Sequence, residues 1–434
     1  MVKFIASCLL FCAVSTAAIA LEIKEVMTTK GIASWLVESH QLPMVTVQVA
    51  FRSGSAFDPE GKEGLAAFTA GLFTEGAGSL GGTAFQEKLD MLGSRLSVTT
   101  NRLDTTFTLT TLSQNVDESF DLLVMAITDP RFEREAMERL RRTTLSAIKQ
   151  IPQNPASVVS HEFPPLVYGE KHPYAHPTEG VIETVSAFTR KDVKDFYKEN
   201  YTKTNMVVSV VGDITPRKLK TLLEGKLVNL TYGTGCNKLE KGLQAPTPLI
   251  KRIEMPVPQS HVLMGHKGIN RHDEDYFAAY AMNYMLGGGG FNSRLMEEIR
   301  EKRGLTYGVY SYFDFMPDWG PFMVAVQTKN KDAGTSIALI KKEMQRIKDK
   351  GVRQKEYEGA MSYLTGSFPL RLDSNRKILG YLTVMQREEL GKDYLDKWVE
   401  RVKQVTRDDI QRVAKRLLHP EDMVVLIVGG PAEE

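Results

Sequence analysis

The sequence has little cysteine and, beyond its first twenty residues, no long apolar run. Of its three cysteines, Cys8 and Cys12 lie at the N-terminal end, so only Cys236 remains in the rest of the chain. One cysteine excludes an internal disulfide and a thiolate zinc cluster. No later stretch of 18 apolar residues occurs, so we expect a soluble mature chain without membrane insertion. A net charge of +2 over 434 residues gives no argument for nucleic-acid binding.

Several catalytic motifs are also absent. There is no G-x-S-x-G nucleophile elbow, and Cys236 has no evident histidine partner. The glycine run Gly287, Gly288, Gly289 and Gly290 is not followed by the lysine of a phosphate-binding loop. We interpret this run as a flexible hinge or a close-packed turn.

The first twenty residues have the pattern of a secretory signal peptide. Lys3 precedes an apolar stretch from Phe4 to Val14, and Ala18-Ile19-Ala20 is a small-x-small cleavage site. We expect cleavage after Ala20 and a periplasmic location; an uncleaved anchor is the alternative. Cys8 and Cys12 lie inside the apolar stretch rather than just after it, which argues against lipidation.

Sequence segments that resemble β-strands recur at a nearly constant spacing along the chain. The segment 206–212 is echoed by 423–429, at 423 − 206 = 217 residues, and the strand that starts at Val45 is echoed from His261, at 261 − 45 = 216. Two unrelated strands with nearly one offset predict a duplicated α+β domain, although short valine-rich runs can match by chance. The length suits two domains of roughly 200 residues.

Within each half the pattern predicts a strand, a helix, a hairpin, long helices and a closing strand. The hairpins are expected at 96–112 and 307–328, and long helices at 132–150 and 333–348. We divide the chain into a signal peptide (1–20), an N-terminal domain (21–227), a linker rich in Gly, Thr, Asn and Pro (228–248) and a C-terminal domain (249–434).

One segment of the second half carries a family resemblance. Residues 292–307, Asn-Ser-Arg-Leu-Met-Glu-Glu-Ile-Arg-Glu-Lys-Arg-Gly-Leu-Thr-Tyr, follow the glycine run and precede alternating aromatic and aliphatic residues. This passage resembles the C-terminal signature of the pitrilysin or insulinase-like zinc peptidases, which include mitochondrial processing peptidase. The resemblance implies two homologous half-domains forming a half-clamshell. It also implies that Arg300 and Tyr307 hold a substrate peptide.

The zinc motif of that family is missing from its place. The family sequence Gly-Leu-Ala-His-Phe-x-Glu-His corresponds to Gly64-Leu65-Ala66-Ala67-Phe68-Thr69-Ala70-Gly71. Ala67 and Gly71 stand at the histidine positions, Ala70 at that of the general base, and Ala147 where a third ligand is expected. None of these side chains can bind Zn²⁺ or activate water, so we expect no metal in this chain.

The histidines elsewhere in the sequence provide little support for another metal site. Only His172 and His176 have the i, i+4 spacing of a helical ligand pair. Pro173 between them disfavours a continuous helix, so we interpret the pair as structural.

The segment around Arg300 reads as an amphipathic helix. Leu295, Ile299 and Lys302 recur at helical spacing, and Gly304 is expected to end the helix. Tyr307 then begins a strand. A guanidinium and a phenol brought together here suit the carbonyl oxygens of an extended peptide, and strand addition to a sheet edge would hold its backbone. A surface ion pair and a packed tyrosine are the plainer alternative.

These observations predict a non-catalytic, substrate-binding subunit of a heteromeric periplasmic zinc metallopeptidase. Its partner would be a homologous subunit that carries H-x-x-E-H and zinc, and its ligand would be a peptide. A non-proteolytic binding scaffold of the same fold is the alternative. A self-sufficient hydrolase has no visible nucleophile or metal set.

Overall fold

The structure, a computed structural model, describes residues 21–227, 230–233, 239 and 243–431. The predicted signal peptide and Cys236 therefore lie outside the described residues. The first half contains strands β1 (Lys24–Met27), β2 (Ala33–Glu38), β3 (Met44–Phe51), β4 (Gly76–Ala77), β5 (Leu80–Gly81), β6 (Arg95–Thr100), β7 (Thr105–Leu112) and β8 (Met206–Gly212). Its helices are α1 (Leu65–Leu72), α2 (Gly82–Met91), α3 (Val116–Thr128), α4 (Arg134–Gln150), α5 (Pro155–Tyr168), α6 (Ile182–Ala187), α7 (Arg190–Asn200) and α8 (Pro216–Lys226).

The second half repeats this plan. Its strands are β9 (Leu249–Glu254), β10 (Gln259–Lys267), β11 (Thr306–Phe313), β12 (Pro321–Lys329) and β13 (Val424–Gly429). Its helices are α9 (Tyr276–Asn283), α10 (Ala333–Lys350), α11 (Gln354–Gly366), α12 (Asn375–Arg387), α13 (Tyr394–Gln404) and α14 (Arg407–Leu417). Two π-helical segments, Tyr284–Gly288 and Met296–Glu301, lie between α9 and β11.

The two sheets have the same strand order, except that the first has one more edge strand, β1. The first runs β1-β2-β8-β3-β7-β6 and the second β9-β13-β10-β12-β11, read from the matching end. In each sheet the closing strand of the half pairs in parallel with the first long strand and antiparallel with the next. The prediction of a duplicated α+β domain is therefore confirmed.

Period-two patterning explains why each sheet has two buried faces. In β3, Val45, Val47 and Val49 join the core of the first half, whereas Gln48 faces the other way and accepts a hydrogen bond from Thr383 at 2.8 Å. Alternate side chains of a strand point to opposite faces. Both faces of this sheet are therefore covered, one by helices of its own half and one by α12.

The two halves exchange helices. Helix α12 of the second half packs on the first sheet, where Leu382 lies with Val211 in a small apolar cluster. Helix α5 of the first half packs on the second sheet, where Phe163 lies with Leu426 and Val428 in a larger one. Each helix covers a sheet face of the other half that the helices of that other half leave open, so the two halves stabilise one another.

The predicted linker contains no helix or strand among its described residues, 230–233, 239 and 243–248. Leu243 nevertheless contacts the second half: its N–H donates to Asp318 and its carbonyl accepts from the indole of Trp319.

No helix within the described part of the chain is long and apolar enough to cross a membrane.

Candidate functional site

The positions of the missing zinc motif lie on α1. The helix begins after Gly64, whose φ of +92° is the left-handed conformation that favours glycine. Ala67 and Gly71 are half-buried, and Ala70 is 3% exposed. Because none of the three side chains carries a metal-binding atom, this face of the helix offers only small, inert groups.

Helix α4 packs against α1 at the positions of the missing zinc motif. A Cβ placed on Gly71 would come within 2.9 Å of a methyl of Leu140, so α4 packs closely on α1 at the second histidine position. Ala147 follows Leu140 by seven residues, which places it on the same face of α4 two turns later. Ala147 is exposed. The nearby carboxylate of Glu75 pairs with Arg139 of α4. The residues present therefore do not fit a zinc ion.

Of the two histidines His172 and His176, His172 makes contacts that stabilise its own loop. Residues Pro173–Ala175 form a single 3₁₀ turn rather than an α-helix, and the Nδ1 atom of His172 accepts a hydrogen bond from the Tyr174 N–H at 3.1 Å. The ring of His172 also stacks beside Tyr168. Burial and the neighbouring His176 lower the pKa of His172, which favours the neutral ring that accepts this hydrogen bond.

One other group of potential ligands occurs among the described residues. His419, Glu421 and Asp422 lie within reach of a shared ion. All three are at least partly exposed, and Glu421 lies 3.8 Å from the ammonium of Lys348. Exposed groups of this kind are common without a metal, and they lend no support to a catalytic site.

Arg300 lies on the second π-helical segment. Buried Leu295 and Ile299 anchor this segment to the core of the second half. One guanidinium N–H of Arg300 donates to the main-chain oxygen of Tyr307 at 2.8 Å, and the guanidinium lies 4.6 Å from the ring centroid of Phe291. The structure therefore joins Arg300 to the backbone of Tyr307 and not to its phenol.

The segment differs from the predicted amphipathic helix at its C-terminal end. Lys302, placed on the buried stripe by spacing, is exposed and donates to Glu298 at 2.7 Å. The wider π turn shifts its direction relative to a 3.6-residue helix. Hydrogen bonds from Lys302 and Arg303 hold the pKa of Glu298 down to about 2. Gly304 follows the segment with φ +63°.

The phenol of Tyr307 is free of the core. Its side chain is 84% exposed at the start of the edge strand β11. The register of β11 against β12 shifts between Thr306 and Val309, and the hydroxyl of Thr306 fixes this bulge by accepting from the Gly308 N–H and donating to the carbonyl of Gln327. Bulges of this kind redirect a side chain at a sheet edge.

Tyr307 borders a groove that sequence spacing did not reveal. The groove measures about 450 Å³ and lies between the start of α5, at Ala156 and Val159, and the face of the second sheet. Tyr310, 52% exposed, shares it with Tyr307. The groove exists only because α5 crosses from the first half, so no local pattern in the second half could have indicated it.

The first three glycines of the run are closely packed, and Gly287 and Gly288 end the first π-helical segment. A Cβ on Gly287 would lie 2.5 Å from the hydroxyl of Ser311, and one on Gly289 would lie 2.6 Å from the carbonyl of Tyr284. Gly290 has φ +57°. The turn presents Phe291, 62% exposed, beneath the guanidinium of Arg300.

Comparison with known proteins identifies relatives of both halves. Residues 35–175 match the family described as Insulinase (Peptidase family M16), and residues 187–364 match its Peptidase M16 inactive domain. A non-peptidase homologue from Helicobacter pylori is 29% identical over 344 residues, 77% of this chain and 77% of that protein. An uncharacterized zinc protease of Streptomyces coelicolor is 25% identical over 355 residues, 80% of this chain and 76% of that one.

Solved structures have a similar fold. A structure described as the peptidase M16 inactive domain from Pseudomonas fluorescens has a TM-score of 0.89 and 29% identity, over 95% of this chain and 100% of that one. A protease from Helicobacter pylori has a TM-score of 0.84 over 94% of this chain and 99% of that one, and at 20% identity it shows the fold alone.

Proposed function

The chain belongs to the insulinase-like peptidase family as an inactive member, and from this premise we propose that it is the substrate-binding subunit of a heteromeric periplasmic zinc metallopeptidase. A homologous partner would supply H-x-x-E-H, zinc and the general base. This chain would supply Arg300 and Tyr307 to hold the peptide and to stabilise the transition state.

The contrast between the two candidate sites carries the proposal. The zinc-motif positions Ala67, Ala70 and Gly71 have lost every ligand, whereas the phenol of Tyr307 stands in solvent at an open strand edge. A phenol and a guanidinium beside an unpaired edge are suited to the backbone of an extended peptide. A partner that binds zinc would complete the chemistry that this chain lacks.

The contacts of Arg300 favour the alternative of a non-proteolytic binding scaffold. Its guanidinium already donates to the carbonyl of Tyr307 and stacks on Phe291, so it could act only as a brace for the turn. In that case the chain would be a non-proteolytic binding scaffold of the same fold. The two functions differ in whether a zinc-bearing partner exists.

The first experiment isolates the protein from its native periplasm under mild conditions and identifies its partners. A stoichiometric partner bearing H-x-x-E-H is the expected result. Recovery alone, or with unrelated proteins, would favour the scaffold.

The second experiment measures peptide cleavage by the reconstituted complex. We expect Arg300→Gln to lower kcat/KM by about tenfold or more, because a charged hydrogen-bond donor to the peptide is lost, while assembly stays intact. Tyr307→Phe removes only one hydroxyl and should have a smaller effect. Arg303→Gln is the matched control, since Arg303 is bound to Glu298 on the same segment. Unchanged turnover in Arg300→Gln would contradict the proposed role.

A further inference from the structure

A second cavity, of about 810 Å³, lies in the second half and has no part in the site described above. It is bordered by α9, α12 and α13, by the 3₁₀ turn Phe368–Leu372, and by the end of β11 with the residues that follow it. Eight aromatic and three cationic side chains line it, and its lining includes no carboxylate. Its volume is within the range of small-ligand pockets, and such pockets combine apolar walls with a few polar groups.

Two arginines in this cavity rest on aromatic faces. The guanidinium of Arg371 lies 5.5 Å from the ring centroid of Tyr280 and 5.3 Å from that of Trp398. The guanidinium of Arg271 lies 4.7 Å from the ring centroid of Phe315 and donates to the hydroxyl of Tyr276 at 3.1 Å. These contacts fix both cations in place.

Neither arginine forms an ion pair with a carboxylate within the described part of the chain. The third cation differs, because Lys377 donates to Asp373 at 2.8 Å. Burial lowers the pKa of Arg371, but the phenols of Tyr280 and Tyr381 outweigh this effect and leave it raised. Burial also raises the pKa of Tyr280 itself, so its hydroxyl remains protonated.

The cavity thus combines a rigid positive charge with wide aromatic walls. A carboxylate accepts two parallel hydrogen bonds from a guanidinium, and an apolar or aromatic side chain packs on the walls. The complementary ligand is a carboxylate borne on a bulky apolar group.

Strand β11 joins this cavity to the Tyr307 surface. Tyr307 stands near its start, while Phe313 at its end lines the cavity. Six residues of extended chain span about 20 Å, and β11 is an edge strand. A peptide laid along this edge, parallel to β11, would bring its C-terminus to the arginines.

We propose that this cavity binds the C-terminal carboxylate and the terminal apolar side chain of a peptide. The choice of a peptide as the source of the carboxylate rests on the proposed function. The preference of the cavity for a carboxylate on an apolar group rests on its charge and its aromatic walls alone.

The test is calorimetric titration of the purified chain with an acetylated heptapeptide that ends in phenylalanine. The free acid is expected to bind at least about tenfold more tightly than the same peptide with a C-terminal amide, since the amide cannot form the charged pair. Equal affinity of acid and amide, or no binding of either, would overturn the proposal. Acetylphenylalanine binding as tightly as the heptapeptide would overturn the peptide assignment in favour of a small aromatic acid.

Variants locate the binding. Arg371→Gln and Arg271→Gln should each remove most of the preference for the acid. Arg376→Gln, on the exposed side of α12 and outside the cavity lining, is the matched control and should change nothing. Unaltered acid preference in both cavity variants would overturn the site.

A cavity-filling variant tests the site even if the arginine variants do not fold. Gly380 lines the cavity on α12, and a Cβ there would meet no heavy atom within 4 Å. Gly380→Leu should therefore fold, with an unchanged thermal midpoint or a slightly raised one, and should abolish binding of the acid. Full binding by this variant would overturn the proposal.

This test is independent of the partner and of Arg300. Acid-specific binding without any zinc-bearing partner would leave the cavity assigned and the proposed function refuted. A confirmed partner and an Arg300 effect without acid-specific binding would refute the cavity alone.

Discussion

The two halves share one strand order, but they differ in what their equivalent helices carry. Helix α1 of the first half presents Ala67, Ala70 and Gly71, whereas α9, which occupies the same place in the second half, presents Tyr276 and Tyr280 to a cavity. The sheets and the order of elements are preserved because burial of alternate strand residues maintains them. The side chains of the two helices differ: α1 carries small, inert groups at these positions, whereas α9 borders the cavity to which we assign peptide binding.

The exchanged helices provide the most severe test of this comparison. The cluster under α5 holds 13 buried apolar residues and the one under α12 holds five. We expect Phe163→Ala to lower the free energy of unfolding by about 4 kcal/mol and Leu382→Ala by about 3 kcal/mol, measured by urea denaturation. Met91→Ala, at a residue 86% exposed, should change it by less than about 0.5 kcal/mol. A larger loss at Leu382 would show that α12 forms the stronger junction.

The start of α1 tests whether packing persists where the chemistry has been lost. A Cβ on Gly64 would lie 2.6 Å from the carbonyl oxygen of Glu179, and Gly64 has φ +92°. Gly64→Ala should therefore lower the free energy of unfolding by about 2 to 3 kcal/mol, through backbone strain and a backbone clash.

The matched control is Gly61→Ala. Gly61 also has a positive φ, of +72°, but a Cβ there would meet nothing within 4 Å, so only the conformational cost of about 1 kcal/mol is expected. Equal losses in both variants would mean that the contact of Gly64 with the loop at Glu179 has no energetic weight.

The ion pairs between equivalent helices should have a smaller effect. In the second half Arg412 and Arg416 of α14 hold Asp275, 4% exposed, at the start of α9. In the first half the equivalent pair joins Lys62 to a more exposed carboxylate, that of Asp192 on α7. The Arg412 and Arg416 hydrogen bonds lower the pKa of Asp275, so the ionised carboxylate stabilises the folded state.

We expect Asp275→Asn to cost about 2 kcal/mol at pH 7. A lowered folded-state pKa gives stability that is fully present above the unfolded value of about 3.9 and is lost as the pH falls through the folded value. The difference between the two proteins should therefore shrink below about pH 4, as followed by denaturation at several pH values. Asp408→Asn, at an exposed position of α14, is the control; a pH-independent difference would refute the electrostatic cause.

Local patterns predicted the elements well where one periodicity dominates. The hairpin strands β6 and β7 and the helices α4 and α10 lie where alternation and helical spacing place them. The π turn around Arg300 was missed because an extra residue in one turn leaves no mark on the spacing of Leu295 and Ile299. Strands β1, β2 and β9 were also missed; their pattern is short, and pairing in the sheet defines them.

The sequence by itself determined the duplication, the order of elements along each half, and the absence of ligands at Ala67, Ala70, Gly71 and Ala147. Each of these depends on residue identity at fixed spacing, which the chain carries directly. Only the tertiary structure decided that α5 and α12 change sides, that Arg300 binds the backbone of Tyr307, and that Arg271 and Arg371 meet in one aromatic cavity. Those contacts join residues whose proximity is set by the packing of whole elements, and no local period encodes it.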